Sequence, residues 1–82
     1  MDLQVLLLLI RDKLQDGRLP YESIASVWSS PSDGEMCDAC ETRIAKDQSV
    51  TEVTLAGGSR GGAAIPFHVV CFQLWDAERR AV

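Results

Sequence analysis

The sequence predicts a small α+β fold: an N-terminal helical hairpin followed by a unit made of a knuckle, a β-hairpin and a C-terminal helix. Three observations carry that prediction. Leu3, Leu6, Leu7, Ile10 and Leu14 recur at spacings of three and four, which draws one face of a helix. Val50, Glu52 and Thr54 alternate with Thr51, Val53 and Leu55, the period of a half-buried strand. All three cysteines and the single histidine fall into two close pairs, Cys37-x2-Cys40 and His68-x2-Cys71.

Composition limits what such a chain can be. The 82 residues carry eight Lys and Arg against twelve Asp and Glu, a net charge of −4, and 46% of them are hydrophobic. That is too apolar for a disordered acidic tail. It is also too acidic for a general nucleic-acid binder, which gathers Lys and Arg on one surface. A chain this short buries only about 60% of its unfolded surface, so its core is thin. Domains of this size commonly add a disulfide, a metal or a partner subunit. An odd number of cysteines fits a disulfide framework poorly and, beside a histidine, points to metal in a reducing compartment. The apolar run LQVLLLLI is too short to span a membrane. Asp2 precedes it and Arg11, Asp12 and Lys13 follow, with no small-residue cleavage site, so it does not read as a secretion signal. The expectation is a soluble, cytoplasmic protein.

The elements follow in order. Asp2 is placed to cap a helix over residues 3–16, and Gly17 stands where a helix turns off through a left-handed residue. Val5, Leu8 and Leu9 widen the apolar stripe beyond one face. Either the rest of the domain covers them, or a protein partner or a second copy does. Pro20 suits a first helical turn, and Tyr21, Ile24, Ala25 and Trp28 share a stripe, so a second helix is predicted from Pro20 to about Trp28. Pro31 ends it, and residues 1–30 form a helical hairpin. The second helix has no Lys or Arg, which argues against a DNA-reading helix-turn-helix. The loop from Ser29 to Gly34 leads into a second unit, 34–82. There the strand over 50–55 turns through the glycines between 57 and 62 and returns as Ala63–Phe67, with Pro66 suited to an edge. A helix from His68 or Val69 to about Arg80 closes the chain. Its Cys71, Phe72 and Trp75 lie along one side, and Val70, Leu74 and Ala77 along another.

The cysteine and histidine pairs carry the chemistry. Structural zinc is tetrahedral, and three cysteines with one histidine form a standard ligand set. Two ligands two residues apart can hold one metal from a tight knuckle. His68 and Cys71, three apart, face the same way from a first helical turn. The predicted site is therefore one structural Zn²⁺ on Cys37, Cys40, His68 and Cys71. A redox Cys-x-x-Cys would open a helix after a strand and leave the second pair unexplained. Catalytic zinc keeps an open position, whereas four protein ligands close the site, and no second histidine remains to act as a base. No phosphate-cradling loop is present either, since the glycines between 57 and 62 lack the Lys-Ser/Thr that follows one. The chain is not expected to be an enzyme.

In residues 37–46 the pattern C-x-x-C-x-x-x-I-x-K, and in residues 68–75 the pattern H-x-x-C-F-x-x-W, resemble the treble-clef zinc fingers of poly(ADP-ribose) polymerases. The likeness covers residues 37–76. The chain also resembles small bacterial zinc-finger proteins through Gly17–Pro20, Trp28, Pro31–Gly34 and Trp75–Arg79. The first likeness implies a treble clef; the second implies that the whole chain is one unit. The polymerase fingers grip DNA phosphates with basic residues. Here Arg43, Lys46, Arg60, Arg79 and Arg80 face Asp38, Glu41, Asp47, Glu52, Asp76 and Glu78 within 37–82. Three thiolates on zinc add a further negative charge. The favoured expectation is a zinc-stabilised interaction or adaptor module that meets a protein partner, or a second copy, through helix 3–16. The alternative is a nucleic-acid-binding regulator with Arg43, Lys46 and Arg60 as its patch.

Overall fold

A computed structural model describes residues 2–58 and 60–81. Two helices flank a three-stranded antiparallel sheet: α1 is Leu3–Gln15, β1 Ile24–Pro31, β2 Ser49–Leu55, β3 Ile65–His68 and α2 Val69–Arg80. The strand order is β1-β2-β3, so β2 is central. Between β1 and β2, an isolated bridge joins Met36 to Arg43 and pinches the segment bearing Cys37 and Cys40.

α1 begins and ends on the residues that favour those boundaries. The Asp2 carboxylate accepts from the Gln4 N–H at 3.0 Å, and Gly17 has φ +85°, a conformation that costs a glycine little. Leu6, Ile10 and Leu14 turn into the core. Leu3, Val5 and Leu8 remain exposed, Leu8 by 56%. The C-terminal helix buries Cys71 and Trp75 and leaves Val69 and Val70 exposed.

The second predicted helix is not formed. Residues 24–31 run as a strand paired with β2, Val27 opposite Val53 and Trp28 opposite Glu52. The stripe of Tyr21, Ile24, Ala25 and Trp28 satisfies a helical period. The residues around them include Ser23, Ser26, Val27, Ser29 and Ser30, which are weak helix formers, and Val and Trp suit a pleated surface. Pairing with β2 decides the outcome, as tertiary context often does for a short ambiguous segment. Pro31 is the last residue of this edge strand, where a missing N–H does little harm. The N-terminal region is thus one helix and one strand rather than a helical hairpin.

The core joins both ends of the chain. Leu6, Ile10, Leu14 and Leu19 share one cluster with Cys37, Ala39, Ile44, Val50, Val53, Ile65, Phe67, Cys71 and Trp75. Trp75 is its largest fully buried side chain; its ring stacks on Phe67 at 4.9 Å, and its Nε1 donates to the Pro20 carbonyl at 3.0 Å. Arg11 meets Glu78 at 3.1 Å across the two helices. Among the described residues, no helix is long and apolar enough to cross a membrane.

Small contacts fix the loops. A side chain at Gly57 would drive its first carbon into a Glu22 carboxylate oxygen, 2.8 Å from the carboxyl carbon. Gly57→Ala is therefore expected to displace Glu22 and lower the melting temperature by a few degrees, a shift that thermal denaturation followed by circular dichroism would detect.

Candidate metal centre

The knuckle forms because its backbone closes on itself. The Cys37 N–H donates to the Thr42 carbonyl at 3.0 Å, and the Glu41 N–H donates to the Cys37 carbonyl at 3.0 Å. The turn requires a left-handed residue, and Glu41 supplies it at φ +61°. Glycine takes that conformation more easily, so the glutamate side chain calls for a reason of its own. A further bond, from the Asp38 N–H to the Pro66 carbonyl at 2.9 Å, fixes the knuckle to β3.

That bond brings the two ligand pairs together. β3 ends at His68 and α2 begins at Val69, so His68 caps the helix while Cys71 sits one turn in. The histidine makes no side-chain capping bond. Its Nδ1 lies instead 3.4 Å from Cys40 Sγ and 3.9 Å from Cys71 Sγ. The ligand atoms of Cys37, Cys40, His68 and Cys71 all lie within 4.8 Å of one another. With zinc–sulfur bonds of about 2.3 Å and zinc–nitrogen bonds of about 2.0 Å, tetrahedral ligand atoms stand about 3.5–3.8 Å apart. The cluster is a slightly open form of that arrangement, and its residues fit one metal ion. All four predicted ligands converge, and the three cysteines are free thiols rather than disulfides.

The surroundings suit thiolates. The Cys37 sulfur accepts from the His68 backbone N–H at 3.4 Å, and the Thr42 hydroxyl stands 2.9 Å from Cys40 Sγ, placed to donate to a thiolate. A hydrogen bond from Cys71, with the backbone amides of Cys40, His68 and Ala39, holds the Cys37 thiol well below its usual range against the cost of burial. Cys71 is driven the other way, by its bond to Cys37, by burial, and by the charges of Cys37 and Cys40. Ionising Cys37 and Cys71 together is therefore disfavoured unless a cation joins them.

A residue outside the ligand set ties α1 to this centre. Lys13 is only 3% exposed. Its Nζ donates to the Asp38 carbonyl at 2.9 Å and meets Glu41 Oε2 at 2.8 Å. Here is the use of a glutamate at the left-handed position. Its carboxyl is held below the usual carboxylate range by the hydrogen bond from Lys13 and by that residue's charge. A depressed carboxyl contributes stability above its unfolded pKa, and that contribution disappears as pH falls through the folded value. Solvent screens most of it, because Glu41 is largely exposed. The sequence reading passed over Lys13, yet the signal was present: with Leu6 and Ile10 it lies on the buried stripe at spacings of four and three. Lys13→Met is expected to leave the Asp38 carbonyl short of a partner, at a cost of about 1–3 kcal/mol. Urea unfolding of the metal-loaded protein would measure it, and an unchanged midpoint would contradict this role.

Leu3 and Leu6 of α1, with Thr42 and Val70, line a depression of about 250 Å³ beside Cys40, His68 and Cys71. The helix thus walls one side of the centre. Lys46 is exposed, while the other cations of the candidate patch and of the last helix are engaged within the chain. Arg43 donates to the Gly34 carbonyl, Arg60 to the Arg18 carbonyl while lying 3.4 Å from Asp38, and Arg79 and Arg80 both pair with Asp76. Fold and site together define a small α+β domain with a Cys₃His cluster able to hold a metal ion. Comparison with protein-family models, with curated proteins and with solved structures gives no match, so the assignment rests on this chain's own residues.

Proposed function

We propose that the protein is a non-enzymatic interaction module of treble-clef type, stabilised by one structural zinc ion and working in a reducing compartment, the cytoplasm. The observation that carries the reading is the convergence of four protein ligands, which fills a tetrahedral shell and leaves no open position for substrate. The order of knuckle, hairpin and helix, with the last two ligands at the helix start, supports the treble-clef description. Val5 and Leu8, left outside the core on the side of α1 away from the cluster, supply the docking face for a protein partner. The nucleic-acid alternative is less favoured, because Arg43, Arg60, Arg79 and Arg80 bond to carbonyls and carboxylates within the chain.

Replacing zinc with cobalt tests the closed site. The expected absorption is that of tetrahedral thiolate-bound cobalt, unchanged when azide is added. A spectrum that shifts with azide would reveal an open coordination position and remove the structural reading. Leu8→Lys tests the docking face: metal content should be retained and partner binding lost.

A further inference from the structure

We propose that the free edge of β1 is a self-association surface, on which a second copy of the chain adds its own β1 antiparallel and joins the two sheets into one. The two edges of the sheet are treated differently. β3 is four residues long, contains Pro66, and its Pro66 carbonyl is taken by the Asp38 N–H of the knuckle. β1 is eight residues long and packs only on β2. Among the described residues, no other segment hydrogen-bonds to its outer side. An open strand edge presents unpaired N–H and C=O groups that another extended strand can satisfy.

Monomeric proteins usually guard such an edge with charge. The eight residues of β1, Ile-Ala-Ser-Val-Trp-Ser-Ser-Pro, carry none. Val27 and Trp28 stand on opposite faces, each 44% exposed. The ladder irregularity between Ile24 and Ser26 and the proline at 31 confine regular pairing to Ser26–Ser30. A two-fold axis through Trp28 would set Ser26 opposite Ser30 and Val27 opposite Ser29 of the second copy. No like charges meet there, although each chain carries −4 overall. The edge itself carries no charge to recruit a basic or an acidic segment, and its two-fold register is self-complementary, which commits the occupant to a second copy. A five-residue pairing is small beside the roughly 1,200–2,000 Å² of a stable interface, so the dimer is expected to be weak and reversible.

Sedimentation equilibrium of the zinc-loaded full chain tests this. The average mass should climb from 9.0 kDa towards twice that value as concentration rises. The double substitution Val27→Lys with Ser29→Lys sets ammonium groups against each other across the two-fold axis. It should weaken association roughly tenfold or more while zinc content and circular dichroism stay unchanged. Leu8→Lys should leave association intact, which separates this surface from the α1 face. Hydrogen exchange on the unmodified protein gives an independent reading, in which alternate amides of Ser26–Ser30 become protected as concentration rises. A monomer at every concentration, with those amides exchanging freely, would overturn the proposal. So would a dimer abolished by Leu8→Lys and indifferent to the changes on β1.

Discussion

Removing zinc with a strong chelator is expected to abolish cooperative folding of residues 35–80. The core of so short a chain is small, and two of its buried members, Cys37 and Cys71, are proposed ligands. Without a cation, the hydrogen bond and charge of Cys37 push the Cys71 thiol up, and burial adds to the effect. The two sulfurs must then share a proton. A bound zinc ion would relieve that conflict, and its apparent binding energy in small fingers, about 10–16 kcal/mol near neutral pH, is as large as the whole stability of a domain this size. Metal binding releases protons from the ligands, so acid favours zinc loss, and the loaded protein should lose stability as pH falls. Near-ultraviolet circular dichroism of Trp75 against chelator concentration follows the transition. A sharp unfolding transition that persists in verified metal-free protein would contradict the expectation.

Trp75→Ala is expected to be the most damaging single change outside the ligand set. The side chain is fully buried, stacks on Phe67 and holds the Pro20 carbonyl. Truncating a buried tryptophan costs about 3–5 kcal/mol. A chain of this size has a total stability of about 4–12 kcal/mol, so the zinc-loaded variant should melt at a much lower temperature than the zinc-loaded wild type. Trp75→Phe keeps most of the ring and loses the hydrogen bond, at about 1 kcal/mol. Equal melting temperatures for wild type and Trp75→Ala would show that this cluster does not hold the ends of the chain together.

The sequence made some of these features legible and hid others for physical reasons. The Asp2 cap, Gly17, the β2–β3 hairpin, the last helix and the four ligands are local signals, each set by residues within one element or by side-chain chemistry. β1 was hidden because its apolar spacing satisfies a helix as well as a strand. Only its pairing with a strand 18 to 31 residues further along the chain decides between them. The glutamate in a left-handed turn was hidden too, because its reason is a lysine on another element. Leu3 reads as a core residue from its spacing, yet it is exposed at the rim of the Cys₃His cluster, where the start of α1 runs past it.

Native mass spectrometry of the purified protein, with and without a chelator, tests the central claim most directly. The account predicts one zinc ion per chain, lost on chelation together with the compact charge-state distribution. A compact chain that carries no metal, with Cys37, Cys40 and Cys71 all reactive towards alkylating reagents, would contradict it and return the three cysteines to thiol chemistry.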